Sequence, residues 1–378
     1  MSRVLRTLTP GTLIFASALV IGVLAALLVT WGNPTNMGIC VGCFLRDISG
    51  ALNLHRAAPV QYLRPEILGF VIGSFGAAYA FREFRARGGS APIIRFMLGM
   101  LVMVGILMFM GCPVRAVLRL AGGDLNAILG LAGTAFGAFI GVLLLRGGFT
   151  LGRSSRLPTA AGWVMPAIML GLLVLAIITP SFITYSTSGP GSMYAPLIAS
   201  LAVGLLVGVF AQRTRMCFVG GWRDLFLVKD TYLFKAIVGL FAGAVVVNLI
   251  LTFAMGGDYF GFGFEGQAAA HSNHLWNFLG MTLVGIGATQ LGGCPLRQLV
   301  LSGEGDTDAA VTVLGLLAGA AVAHNFGLAA SGAGPTTLGM WAVGIGLAVC
   351  IGLGLLVGEK AILPGLLARQ KASERREV

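Results

Sequence analysis

Charged residues are scarce in this 378-residue chain, where Asp, Glu, Lys and Arg together make up 10%. Soluble domains carry about 25%, so a globule of this length could not cover its surface with polar groups. The chain also lacks a Walker motif, a dinucleotide-binding fingerprint, HExxH and GxSxG, which leaves ATP hydrolysis and the common hydrolase chemistries without support. Its six cysteines do not form a disulfide framework. These absences exclude a soluble enzyme, a secreted disulfide scaffold and a disordered tail.

Hydrophobic residues, by contrast, make up 57% of the chain, and glycine supplies 57 residues that allow close helix packing. Several apolar runs hold only 16–18 residues and stop at glycine-rich or cysteine-containing sequences, a pattern typical of broken helices around a central site. We therefore predict an all-α polytopic membrane protein with about nine to ten spans plus short re-entrant half-helices. The predicted spans are 12–31, 65–81, 96–111, 125–145, 162–180, 196–211, 236–256, 275–292, 308–329 and 338–358.

The net charge of +11 comes mostly from short basic clusters between the apolar runs. The positive-inside rule places these clusters in the cytoplasm and the segments without Lys or Arg outside, so both termini should be cytoplasmic. No basic stripe is interleaved with aromatic residues, and nucleic-acid binding is not predicted. The cytoplasmic clusters are 3–6, 82–95, 146–156 and 360–376; the outward segments are 181–195 and 257–274; the re-entrant segments are 33–64, 112–124, 212–235 and 293–307.

Two motifs occur twice along the chain. Three residues of 40–47 recur in 217–224 at an offset of 177, and four residues of 111–115 recur in 293–297 at an offset of 182. Such matches among scarce residues predict a duplicated unit within one integral membrane domain, with the first repeat in 1–150 and the second in 151–378. The matched residues are Cys40, Arg46, Asp47, Gly111, Cys112, Pro113 and Arg115 in the first copy, and Cys217, Arg223, Asp224, Gly293, Cys294, Pro295 and Arg297 in the second.

The Gly-Cys-Pro motifs predict two short helices. Because proline is favoured at the first helical position, Cys112 and Cys294 should be the N-cap residues. The free N–H groups at such a helix end favour anions and thiolates, and Arg115 and Arg297 would add positive charge. The preceding glycines allow close approach. The alternative is that both cysteines are small apolar packing residues where Gly-Pro ends a span.

The other duplicated cysteines, Cys40 and Cys217, are predicted site residues in re-entrant loops. The Arg46–Asp47 and Arg223–Asp224 pairs would brace those loops, although ordinary interfacial ion pairs explain them as well. Cys43 adds a Cys-x2-Cys spacing, which a redox dithiol could use. No second such pair and no suitably spaced histidine pair exists, so neither a metal nor a cofactor is predicted.

Some ionisable residues leave two interpretations open. His324 interrupts a span and could face a pore or form a helix-packing hydrogen bond. Asp124, Asp306 and Asp308 could couple transport to protons or simply cap helices. His271 lies in the glycine-rich outward segment, where a solvated loop is the preferred interpretation over a metal or proton role.

Several of these segments resemble one family of membrane transporters. Residues 212–224, QRTRMCFVGGWRD, resemble the signature of the YeeE/YedE family, and Gly-Gly-Cys at 292–294 and Arg-Glu-Phe-Arg at 82–85 fit it too. Residues 36–48, with Arg-Pro-Glu at 64–66, are similar to the YedE branch, which is assigned to selenium transport. The resemblance implies an hourglass-shaped protein of the bacterial inner membrane, built from two halves with half-helices and cysteines along a central path.

The resemblance also implies a substrate. YeeE members take up thiosulfate by passing it between thiols through S–H···S contacts, which implies relay positions at Cys112, Cys217 and Cys294. Cys40 and Cys43 lack counterparts in those importers and favour a related substrate. We therefore expect a permease, not an enzyme, that carries a small anionic sulfur or selenium compound across the bilayer. The resemblance also implies a TusA-like sulfur-carrier protein as a partner. The alternatives are a membrane thiol sulfurtransferase or redox enzyme, and a passive anion channel.

Overall fold

The computed structural model describes residues 9–357, so the basic clusters at 3–6 and 360–376 lie outside the described residues. Helices dominate the described chain, and the strands β1 (Arg87–Gly88) and β2 (Ser155–Arg156) form one short antiparallel pair. The helices are α1 (Pro10–Thr30), α2 (Val41–Ala51), α3 (Pro65–Ala80), α4 (Pro92–Phe109), α5 (Pro113–Ala121), α6 (Asn126–Arg146), α7 (Thr159–Ile178), α8 (Leu197–Thr214), α9 (Phe218–Val228), α10 (Phe234–Phe253), α11 (His274–Gln290), α12 (Pro295–Gly303), α13 (Thr307–Asn325) and α14 (Thr337–Leu356).

The fold class is confirmed by these helices. Within residues 9–357, nine helical stretches are long and apolar enough to cross a membrane, and α3 is a shorter apolar helix. Each of the ten predicted spans overlaps one long helix or α3. Three of the nine stretches, Pro92–Ala121, Leu197–Val228 and His274–Gly303, contain a long helix followed by a short one. The protein is an all-α polytopic membrane protein with interrupted helices.

Glycine sets how closely the long helices pack. The main contacts are α1 on α10, α3 on α8, α4 on α13 and α6 on α11, so helices from the first part of the chain pack on helices from the second. At Gly285 on α11, an added Cβ would lie 2.5 Å from the carbonyl oxygen of Thr134 on α6. Only a residue without a side chain allows this close approach. The resulting van der Waals contacts stabilise the helix pair inside a bilayer, where the hydrophobic effect does not drive helices together.

The four short helices α2, α5, α9 and α12 lie where the sequence predicted re-entrant or half-spanning segments. Before three of them the preceding helix ends in a left-handed residue: Met110 (φ 61°), Arg215 (φ 57°) and Gly292 (φ 81°). Pro113 and Pro295 then occupy the first helical position of α5 and α12, where a missing N–H removes no hydrogen bond. The chain therefore breaks and restarts inside the helical core.

A buried site of paired cysteines

A cysteine is the N-cap residue of all four short helices. Cys112 and Cys294 precede α5 and α12, as the prolines predicted. Cys40 and Cys217 precede α2 and α9, and their sulfurs accept hydrogen bonds from the N–H groups of the third following residues, at 3.3 and 3.1 Å. The expectation that these two cysteines lie in loops was therefore incomplete, because each begins a helix.

The structure brings Cys40, Cys43 and Cys112 together as a first cysteine cluster. The sulfurs of Cys40 and Cys112 are 3.8 Å apart. Cys43, in the first turn of α2, has its sulfur 3.7 Å from the carbonyl oxygen of Met110 and 3.8 Å from Nη1 of Arg115. All three thiols are buried and free. The cluster thus joins the start of α2 to the break between α4 and α5.

Cys217 and Cys294 form a second cysteine pair with a different geometry. The N–H of Cys294 donates to the sulfur of Cys217 at 3.2 Å, and the N–H of Phe218 donates to the sulfur of Cys294 at 3.4 Å. With the N–H of Gly220, the Cys217 sulfur accepts two backbone hydrogen bonds. Backbone donors at a helix N-terminus stabilise negative charge on an atom at that position. The second pair is therefore a site of convergent N–H dipoles.

The two motif arginines differ in how their charge is balanced. Arg297 pairs with Glu304 at 3.0 Å. Arg115 is completely buried, yet among the residues that the structure describes no carboxylate lies within ion-pair distance of it. A buried charge is costly without an opposite charge, so the first cluster keeps a positive charge that an anion could balance. Arg115 instead donates to the carbonyl oxygens of Asn36, Met110, Ala268 and Ala269.

The predicted Arg–Asp pairs form, but inside helices α2 and α9 rather than in loops. Asp47 accepts from Arg46 at 2.7 Å and from Arg64 at 2.8 Å, and this group is buried. Arg223 pairs with Asp224 at 2.8 Å and also donates to the carbonyl oxygen of Gly292, close to the second pair. Sequence reasoning missed Arg64 as a partner; its position directly before the proline of α3 was the only signal.

Two further sets of buried polar contacts were not predicted from the sequence. Arg119 on α5 pairs with Asp124 at 2.6 Å, and both side chains are fully buried. Glu66, also fully buried, accepts from Asn33 at 2.8 Å and from Ser200 at 3.0 Å, while its other oxygen has no partner within residues 9–357. In the sequence, single charged residues beside apolar runs resemble ordinary residues at the membrane surface. The sequence pattern therefore did not indicate that these side chains are buried.

The acidic residues with open roles all have partners. Asp124 pairs with Arg119, Asp306 pairs with Arg87 and caps α13, and Asp308 lies 3.8 Å from Arg95. These contacts agree with the structural interpretation of the three aspartates.

The structure also shows the contacts of His271 and His324. His271 is buried and its Nε2 lies 2.8 Å from the carbonyl oxygen of Met108, so the solvated-loop expectation for it was wrong. Burial lowers its pKa. The rings of His324 and His55 lie 4.5 Å apart. In the described part of the chain no group of three or more His, Cys, Asp or Glu side chains could hold a metal ion.

Cavities lie beside each cysteine group. One of about 220 Å³ is lined by Asn36, whose carbonyl binds Arg115, and by the carboxylates Asp258 and Glu265. Another of about 260 Å³ is lined by Glu304 and Arg215, and Arg215 is two residues from Cys217. Each recess therefore has a lining residue that contacts, or is close in sequence to, a residue of one cysteine group.

Comparison with known proteins gives related sequences. Residues 213–372, which include the second cysteine pair, match the family model described as Sulphur transport. Thiosulfate transporter TsuA of Spirochaeta thermophila is 33% identical over 109 residues, 29% of this chain and 31% of that protein. Thiosulfate transporter TsuA of Escherichia coli is 29% identical over 113 residues, 30% of each chain. The alignments thus span less than a third of either relative. Residues 213–372 are thus similar to the sulphur-transport family, which agrees with the family resemblance that the motifs predicted.

Proposed function

We propose that this protein is a transporter that moves a small reduced sulfur anion, thiosulfate or a selenium analogue, along a path between its two cysteine groups. The observation that carries the proposal is the placement of four buried thiols at the N-termini of four short helices, in two contacting pairs. Helix N-termini favour negative charge. Polarisable thiols suit contact with soft sulfur or selenium atoms. The names of the two relatives support the same substrate class.

In this proposal each end of the path holds the anion in a different way. At the first cluster, the charge of Arg115 lies 3.8 Å from the sulfur of Cys43, so a guanidinium would balance the substrate. At the second pair, backbone N–H groups around Cys217 would do so. The helices of the two groups meet, since α2 contacts α12 and α5 contacts α9. Neither group offers strong ligation, and weak binding at several sites is what conduction needs.

The proposed direction is import across the bacterial inner membrane, with both termini in the cytoplasm. The pairing of β1 with β2 supports this orientation, because it puts the basic segments around Arg87 and Arg156 on one face. Positive clusters that share a face are expected on the cytoplasmic side. Substrate would then leave near Arg215, where a TusA-like sulfur carrier could receive it. The two-repeat organisation of residues 1–150 and 151–378 is part of the same proposal.

Uptake of radiolabelled thiosulfate into vesicles containing the purified protein tests the proposal. Cys112→Ala and Cys294→Ala should each lower uptake about tenfold, because losing about 1.4 kcal/mol of transition-state binding has that effect. Cys350→Ala is the matched control, since Cys350 is also buried but lies in α14, outside both cysteine groups. Selenium analogues are tested as competitors. Full uptake by both site variants, at equal protein per vesicle, would refute the path.

A membrane sulfurtransferase is the second candidate, because the first cluster adds a third thiol, Cys43, at a position occupied by Gly220 in the other copy. A stable persulfide on Cys40 or Cys43, found by mass spectrometry with no uptake into vesicles, would favour that enzyme. A passive anion channel would give uptake that rises linearly with thiosulfate concentration, whereas the proposed transporter saturates.

A further inference from the structure

A basic cleft lies between the loop that joins α3 to α4 and the linker that joins α6 to α7. Its volume is about 580 Å³, far more than a single oxyanion fills. It lies at the ends of four helices that pack in the apolar core, well away from the cysteines in the sequence. Its lining includes Phe84, Arg85, Arg87, Ser155, Arg156 and Thr159.

The cleft brings positive charges close together, although these charges repel each other. Arg87 of β1 is paired in register with Arg156 of β2. Like charges directly opposite each other on neighbouring strands are destabilising. Asp306 pairs with Arg87 at 2.7 Å, but among the side chains placed between Thr9 and Val357 no carboxylate pairs with Arg85 or Arg156. This arrangement leaves a positive excess that a bound anion would relieve.

The N-terminus of α7 adds to this field. Thr159, its first residue, lines the cleft, and the preceding Pro158 provides no side-chain cap. A 20-residue helix has a full positive end with free N–H groups, which bind phosphate and similar anions. The hydroxyl groups of Ser155 and Thr159 provide further donors. The cleft therefore has the chemistry of a phosphate site.

One wall of the cleft continues into an aromatic group at the ends of apolar helices. Phe84 lies 5.6 Å from Phe75 and 6.3 Å from Trp163, between ring centroids. Trp163 on α7 and Tyr79 on α3 are 44% and 64% exposed. Exposed Trp and Tyr at the ends of membrane helices are typical of the headgroup level of a bilayer. A phosphate held in the cleft would have apolar chains beside these rings.

We propose that the basic cleft binds the phosphate of an anionic phospholipid, with its acyl chains along the exposed faces of α3 and α7. Basic residues next to membrane helices recognise anionic headgroups in this way. The bound lipid would offset the repulsion between Arg87 and Arg156 and so join the α3–α4 loop to the linker between the two parts of the chain. This site does not use the cysteine groups, and Arg156, Ser155 and Thr159 line the cleft but not the recess beside Arg215, which shares Arg85 and Arg87 with it.

Quenching of Trp163 by brominated phosphatidylglycerol tests this site. The full chain is placed in phosphatidylcholine vesicles that contain increasing amounts of the brominated lipid, and tryptophan fluorescence is measured. The fluorescence of Trp163 is obtained by subtracting the fluorescence of the Trp163→Phe variant from that of wild type. We expect saturable quenching that weakens about fivefold in Arg156→Gln and about thirtyfold in Arg85→Gln/Arg156→Gln, since each arginine contributes about one fivefold factor. Arg153→Gln, an exposed arginine of the same linker outside the cleft, should match wild type.

Three outcomes would overturn the proposal. Equal quenching by brominated phosphatidylcholine would mean that the cleft does not select an anionic headgroup. Equal weakening in Arg153→Gln and Arg156→Gln would mean that only general surface charge acts. Full displacement by millimolar inorganic phosphate would identify a free-phosphate site instead of a lipid site. If the double variant fails to fold, Arg156→Gln alone decides, because Arg156 is exposed.

Discussion

Replacing Asp47 by Asn should destabilise the protein far more than the same change at Asp224. Asp47 is fully buried and accepts from Arg46 at 2.7 Å and Arg64 at 2.8 Å. Breaking a buried ion pair costs about 3–5 kcal/mol, because a charge stays buried without its partner. Asp224 and Arg223 are 20% and 23% exposed, so water compensates part of the loss and we expect about 1 kcal/mol. The same sequence motif should therefore give two different free energies of unfolding.

Thermal unfolding in detergent, followed with a thiol-reactive fluorescent dye, measures the difference. All six cysteines are buried, so dye labelling reports loss of structure. Because α2 begins at Cys40 and carries Asp47, the Asp47→Asn variant should also label faster below its midpoint than Asp224→Asn. Equal midpoints for the two variants, or an Asp47→Asn midpoint equal to wild type, would refute the reasoning from burial.

Two other predictions use the same assay. Gly137→Ala should lower the midpoint of thermal unfolding, because the added Cβ would overlap a carbonyl oxygen of α11. Gly171→Ala should not lower it, because no atom among the described residues lies within 4 Å of the added Cβ. Equal midpoints for the two variants would contradict the close packing of α6 and α11. Acid should also destabilise the protein: burial raises the pKa of Glu83, but hydrogen bonds from Gln212 and Arg213 outweigh it and hold that pKa below its usual 4.5. The stability that ionised Glu83 contributes is present above pH 4.5 and is lost as the pH falls further, so Glu83→Gln should flatten the acid limb, and an unchanged limb would contradict this assignment.

The long helices were predictable from the sequence because a bilayer requires continuous apolar segments with internally bonded backbones. The run at 125–145, for example, became α6 (Asn126–Arg146). The partners of each helix were not predictable. Gly285 reads like any of the 57 glycines, and only the structure shows that it lies against Thr134. Lateral packing depends on such individual contacts rather than on hydropathy.

The cysteine positions were predictable in part for a related reason. A proline follows Cys112 and Cys294, and proline fixes the first helical position, so the N-caps could be located. No proline follows Cys40 or Cys217, and cysteine is not among the preferred N-cap residues. Their helices begin where burial of the following residues favours them, and that information is distributed over the fold.

The duplicated Gly-Cys-Pro-x-Arg motifs conceal a difference in charge that matters for an anion path. Glu304 pairs with Arg297 and also with Arg215. The residue 182 positions before Glu304, which corresponds to it in the motif alignment, is Gly122. Arg115 therefore has no matching carboxylate and contacts Cys43 instead. In the proposed path an anion would be drawn by a guanidinium at one group and held by backbone N–H groups at the other. Because the two groups bind negative charge by different means, neither needs to hold it tightly enough to stop its passage.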